Sequence, residues 1–222
     1  MIIVKKKFEE IIEMARNLSY LESNEYDLTV GEATLPMMRS IQDNIMCITD
    51  QIFQAIDYSY AGSVMIGSIL KSFELSVITG IPNDENVSGM IAVSNTNIAP
   101  GFPNNLIILN DREPMGHQRF TAAHELAHFL FDYQGGAQEE YFEALATNYI
   151  DIEEVQLSLR EYRANKFAAE LLMPSLAFIR RYIAFKKAQL SKDTIVHILS
   201  DDFGVTVTAI ERRINELKLE AV

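Results

Sequence analysis

The chain has 222 residues, 48% hydrophobic and 9% aromatic, enough to bury a full core and too apolar for a disordered polymer. Its net charge of −12 falls on residues 1–174, with 11 Lys and Arg against 25 Asp and Glu, while residues 175–222 hold 8 against 6, so the acidic body repels phosphate backbones and nucleic acid is not expected as the main ligand. A single cysteine, Cys47, precludes an internal disulfide and fits a reducing compartment; no apolar run reaches the roughly 18 residues of a membrane span, and the N-terminus lacks the apolar core of a secretory signal, so a cytoplasmic protein is expected.

In chain order, residues 5–18 place Phe8, Ile11, Ile12, Ala15 and Leu18 at helical spacing. Residues 35–56 repeat the pattern with Leu35, Met38, Ile41, Ile45, Ile48, Ile52 and Ile56, and both stripes read as packing faces of amphipathic helices. A short helix over 63–73 leads to three apolar runs, 77–81, 89–93 and 105–110, separated by turn-forming PNDEN and NTNIAPGFPNN; these read as strands. A helix over 117–132 follows, then a polar, acidic connection at about 134–154, then a helix from about 153 to 173 stopped by Pro174. Beyond it lie helices with Ser191 and Thr206 as N-caps and Gly204 as a break. The expected fold is α+β: mainly helical, with a small β-sheet beside the helix at 117–132 and a helical tail resembling half a helix-turn-helix. The expected division is an N-terminal helical region (1–60), a core (61–175) and a C-terminal subdomain (176–222).

Inside the apolar string FTAAHELAHFLF stand His124, Glu125 and His128. Residues four apart on a helix are about 40° apart around the axis and about 6 Å along it, so both imidazoles can reach one ion. Glu125 is offset enough to act on a water at that ion without ligating it, which is the HExxH arrangement. Two imidazoles and a carboxylate cost several kcal/mol to bury unpaired, and a divalent metal offsets that cost directly.

A catalytic zinc needs a third protein ligand. Phe131 and Gln134 stand where a metzincin would carry Gly and a third His. Asp132 lies about 12 Å along the axis from His124, too far for the same ion, and is expected to be a solvated helix end. Cys47, on a helix far upstream, lacks the surroundings of a deformylase ligand. The best-placed carboxylate is Glu161 in LREYRANKFAAELLMP, with Glu170 as runner-up. Asn165 shares the face of Glu161 and can hydrogen-bond the outer nitrogen of a ligating histidine. Ala164, Ala168 and Ala169 let this helix approach the first closely.

The strings RFTAAHELAHFLF (119–131) and EYRANKFAAELLMP (161–174) resemble the ImmA/IrrE family of zinc metallopeptidases, more loosely from about Gly62 to Leu219 and not over residues 1–60. The resemblance implies Zn2+ held by His124, His128 and Glu161, with Glu125 as catalytic base. It also implies a cytosolic endopeptidase whose protein substrate is a helix-turn-helix repressor. Glu125 would take a proton from water and return it to the leaving amine. The substrate is expected as an added strand along 89–94 or 106–109, with the acidic connection at 138–154 covering the cleft and favouring a basic partner. Arg212, Arg213 and Lys218 lie on the candidate recognition helix of the tail, for which packing or substrate docking is expected over DNA readout. His197, Tyr141, Tyr149 and Tyr162 are available to stabilise an oxyanion, and none is assigned. The competing reading is a zinc-containing antirepressor that sequesters its partner without cutting it.

Overall fold

The computed structural model describes residues 2–18, 28–59, 62–80, 87–94, 103–133, 140–146 and 157–221. Helices α1 (Ile2–Leu18) and α2 (Leu35–Ala55) form over the two amphipathic stripes. Thr34 caps α2 by accepting from the Met37 amide at 3.4 Å, and Pro36 fits the first turn, where no amide partner is needed. Ile41, Ile45, Ile48 and Ile52 of α2 and Phe8, Ile11 and Ala15 of α1 are buried in a cluster that they share with later elements.

Helix α3 (Ile66–Ser72) precedes strands β1 (Ser76–Gly80), β2 (Val87–Ser94) and β3 (Asn105–Asn110), and β4 (Glu140–Ala146) completes a four-stranded sheet in the order β1-β3-β2-β4. β1 runs parallel to β3, while β2 is antiparallel to both β3 and β4. Two expectations are corrected here. Residues 140–146 are strand, not connection, because Glu143, Phe142 and Tyr141 pair with Ile91, Ala92 and Val93. β2 and β3 are therefore interior strands, and neither 89–94 nor 106–109 offers a free edge; the sheet ends at β1 and β4. The rest of the expected covering segment, 138–139 and 147–154, lies outside the described residues.

Helix α4 (Met115–Phe131) packs against β2 and β3 and against α5 (Leu159–Leu172). From Thr121 to Phe131 every residue of α4 is buried, the mark of a central helix rather than a surface one. At Gly89 β2 comes so close that an added Cβ would sit 2.4 Å from Thr121 Cγ2. Helix α5 starts later than the expected 153, at the Ser158 cap, which accepts from the Glu161 amide at 3.3 Å.

The tail is α6 (Ser175–Lys187), α7 (Lys192–Phe203) and α8 (Val207–Glu216), closed by a single 3-10 turn. Ser191 and Thr206 cap α7 and α8, and Gly204 ends α7 in the left-handed conformation at φ 65°, which glycine adopts without a Cβ clash. Arg119 ties α4 to this turn, donating to the Gly204 carbonyl at 2.8 Å and to Ser63 Oγ and the Val64 carbonyl at 2.8 and 2.7 Å. Ile210 and Ile214 of α8 join the same hydrophobic cluster as α1, α2, α4 and α5. No described helix is long and apolar enough to cross a membrane.

Candidate metal centre

His124 and His128 project from one face of α4, and Glu161 meets them from the first turn of α5. The facing Nε2 atoms are 2.9 Å apart, and the Glu161 carboxylate lies 3.3 Å from His124 Nε2 and 3.4 Å from His128 Nε2. The ligand atoms of all three residues lie within 4.8 Å of one another, the group among the described residues that could hold a metal ion.

The local sequence explains the placement of Glu161. Ser158 and Glu161 have capping-box spacing, and the serine half of the box forms. The glutamate does not fold back on the cap; its carboxylate turns to the imidazoles.

Each imidazole is fixed from behind. His124 Nδ1 is 2.9 Å from Asn165 Oδ1, an atom that only accepts, so His124 donates from Nδ1. His128 Nδ1 likewise donates to Asp132 Oδ2 at 2.6 Å. With both Nδ1 atoms carrying the proton, the two Nε2 lone pairs point at each other and at a carboxylate. That donor set repels itself unless a cation stands among its members, and it fits the nitrogen and oxygen ligands of a divalent metal.

Asp132 is the residue that sequence reasoning misplaced. It is no solvated helix end: its side chain is 5% exposed, hydrogen-bonds His128 and pairs with Arg163, itself buried, with Arg160 at 3.7 Å. The available signal was its spacing of four from His128, which lets a carboxylate reach the outer nitrogen of the imidazole above it. Glu170, the runner-up ligand, faces elsewhere: it accepts from the Ser175 amide at 3.0 Å and pairs with buried Arg213, joining α5, α6 and α8.

Glu125 is fully enclosed, and neither carboxylate oxygen has a hydrogen-bond partner. Burial, and then the negative charge of Glu161, push its carboxyl well above the usual range. Burial also pulls the His128 imidazole down, keeping a lone pair available. For Glu161 burial acts upward, but its close approach to the imidazoles of His124 and then His128, with Arg160 behind, outweighs burial and holds the carboxyl at about 2. An ionised ligand and a proton-avid carboxyl thus adjoin each other, the separation of roles that acid-base chemistry requires.

Of the oxyanion candidates, His197 is exposed on α7 and pairs with Asp193 at 3.7 Å. The Tyr141 side chain and Tyr149 lie outside what is described. Tyr162, which follows Glu161 in the chain, is half-buried and lines a cavity that Asn165 also lines.

A small sheet backing a buried HExxH helix, with a glutamate lent by a second helix, defines a metallopeptidase-type scaffold. Residues 83–215, more than half of the chain, match Peptidase M78, the IrrE N-terminal-like domain, and the chain belongs to that family of metallopeptidases. No curated protein matches the chain. A Mycobacterium tuberculosis transcriptional regulator is similar at a TM-score of 0.37 and 12% identity over 93% of this chain and 51% of that one, so the chain spans about half of that structure.

Proposed function

We propose that the protein is a cytoplasmic zinc endopeptidase that hydrolyses a peptide bond in a specific intracellular protein, a helix-turn-helix repressor. The observation that carries the reading is the pair of Nε2 lone pairs facing the Glu161 carboxylate, with the unbonded carboxyl of Glu125 enclosed beside them. His124, His128 and Glu161 would hold the ion, and Asn165 and Asp132 orient the two imidazoles. A divalent zinc bound there acidifies water and polarises a peptide carbonyl at neutral pH.

The remaining steps belong to the chain. Glu125, with its raised proton affinity and no competing partner, takes the proton of the attacking water. As the tetrahedral carbon collapses, the carboxyl passes that proton to the leaving amine nitrogen, so base and acid are one residue. Burial of α4 excludes bulk water from the proton path. The repressor as substrate rests on the family resemblance, and zinc rests on the nitrogen-rich donor set.

The test is incubation of the zinc-loaded protein with a helix-turn-helix repressor encoded beside it, read by mass spectrometry. One discrete cut is expected, absent with Glu125→Gln, which retains the metal. Binding without any cut would instead establish sequestration, and a cut by Glu125→Gln would remove that residue from the chemistry.

A further inference from the structure

Buried polar side chains are as a rule hydrogen-bonded, and α4 holds two that bond to no protein atom. Thr121 and Glu125 are both 0% exposed, and neither the hydroxyl oxygen of the first nor either carboxylate oxygen of the second has a partner. The two residues are four apart, hence about 40° apart around the helix axis and about 6 Å along it. Long helical side chains lean toward the N-terminus, which carries the Glu125 carboxyl toward the turn that bears Thr121. Two orphaned groups thus share one face of the helix, one turn apart, without bonding to each other.

The orientation of Thr121 is not the ordinary one. A buried helical threonine can satisfy its hydroxyl at the carbonyl one turn earlier, and Thr49 of α2 does so, donating to the Ile45 carbonyl at 2.9 Å. Thr121 makes no such bond. Its methyl is seated on β2, where Cγ2 lies only 2.4 Å from the place a Cβ on Gly89 would take. Packing against a strand residue that has no side chain therefore sets the threonine, and its hydroxyl is turned off the backbone. The other two functional side chains of α4 are held from behind, His124 by Asn165 and His128 by Asp132, whereas Glu125 has no support from a protein atom.

From this we infer that Thr121 is the positioning residue of Glu125: its hydroxyl and the Glu125 carboxyl share one buried water. Hydrogen bonds of about 2.8 Å on either side let one water span side chains whose Cβ atoms stand about 5–6 Å apart. The hydroxyl donates to this water, and the water donates to one oxygen of the ionised carboxylate. That oxygen is pinned, and the other is left for the water that attacks the peptide bond. The task given to Glu125 rests on the peptidase reading; the shared water does not. The two halves of the threonine then have separate work, the methyl packing on β2 and the hydroxyl orienting the carboxylate.

The two halves can be removed one at a time. Thr121→Val keeps the packed shape and loses the hydroxyl, while Thr121→Ser keeps the hydroxyl and loses the methyl. In urea unfolding of the full chain at one fixed free-zinc concentration, Thr121→Val is expected to lower the folded-to-unfolded ratio by roughly 3- to 10-fold. In a Glu125→Met background the same change should be neutral or raise the ratio, because the hydroxyl there has already lost its shared partner. Equal losses in both backgrounds, or no loss in either, would overturn the inference. If Glu125→Met does not fold, Glu125→Leu supplies the same background. The kinetic readout uses the zinc-loaded protein and the repressor encoded beside it. Thr121→Val should lower kcat by roughly 10- to 100-fold with KM and zinc content unchanged, and Thr121→Ser should recover most of that loss. A threonine kept only for packing predicts the opposite order, with valine harmless and serine harmful, and that result would also overturn the inference. The unfolding cycle needs no turnover, so an absence of repressor cleavage would count against the peptidase reading while the cycle still decides the shared water.

Discussion

Asp132 is placed to govern an ion that it would not touch. It holds His128 through Nδ1 and balances the buried Arg163 guanidinium. Asp132→Ala is expected to lower metal affinity by about 10- to 100-fold in a chelator competition, since the ring loses its orienting partner. The same change removes the carboxylate that faces the buried Arg163 guanidinium and should cost about 3–5 kcal/mol in urea unfolding. Unchanged affinity would mean that α4 alone sets the ring. Glu125 gives a pH dependence. Its folded carboxyl titrates well above the ordinary 4.5, so the folded state keeps a proton that the unfolded chain has lost. Metal-free protein should therefore lose stability as pH rises from about 4.5 toward the folded value, and Glu125→Gln should flatten that part of the profile. Identical profiles for the two proteins would contradict the buried, unpaired carboxyl.

The elements meet at two glycines that admit no side chain. At Gly116 an added Cβ would lie 2.8 Å from the Val205 carbonyl carbon and 2.9 Å from the Thr206 amide nitrogen, backbone against backbone. Gly116→Ala should push the α7–α8 turn off α4 and cost about 1–3 kcal/mol, measured by chemical denaturation. Helical periodicity made α1, α2 and α4 legible, and the capping residues Ser191 and Thr206 placed α7 and α8. The meeting of His124, His128 and Glu161 was legible too, because helix spacing fixes the first pair and only one carboxylate of α5 shares a face with Asn165. β4 was not. EYFEALA has neither the alternation nor the composition of a strand, and its state is set by the antiparallel partner β2, a tertiary effect that no local pattern reports. Asp132 was missed for a related reason: its distance along the axis rules it out as a ligand but not as the support of one.

For the whole molecule, the centre joins two helices that meet through small and apolar side chains and through the contacts of Asn165 with His124 and Arg163 with Asp132, so metal and fold should be linked. Ala164 and Ala168 are buried where α5 faces α4, and Phe167 meets Phe131 edge to face at 5.6 Å. Zinc at about a thousand times its dissociation constant should stabilise the folded chain by about 4 kcal/mol. For a chain of this size that is a rise in Tm on the order of 10 °C, reversed by a chelator. His128→Ala should show no such rise. The most direct measurement is the metal content of zinc-reconstituted, dialysed protein, comparing the unsubstituted chain with Glu161→Ala at matched circular dichroism. About one ion per chain for the former and less than about a tenth for the latter is expected from a three-ligand site. Equal loading of the two, or none in either, would contradict a centre assembled from both helices.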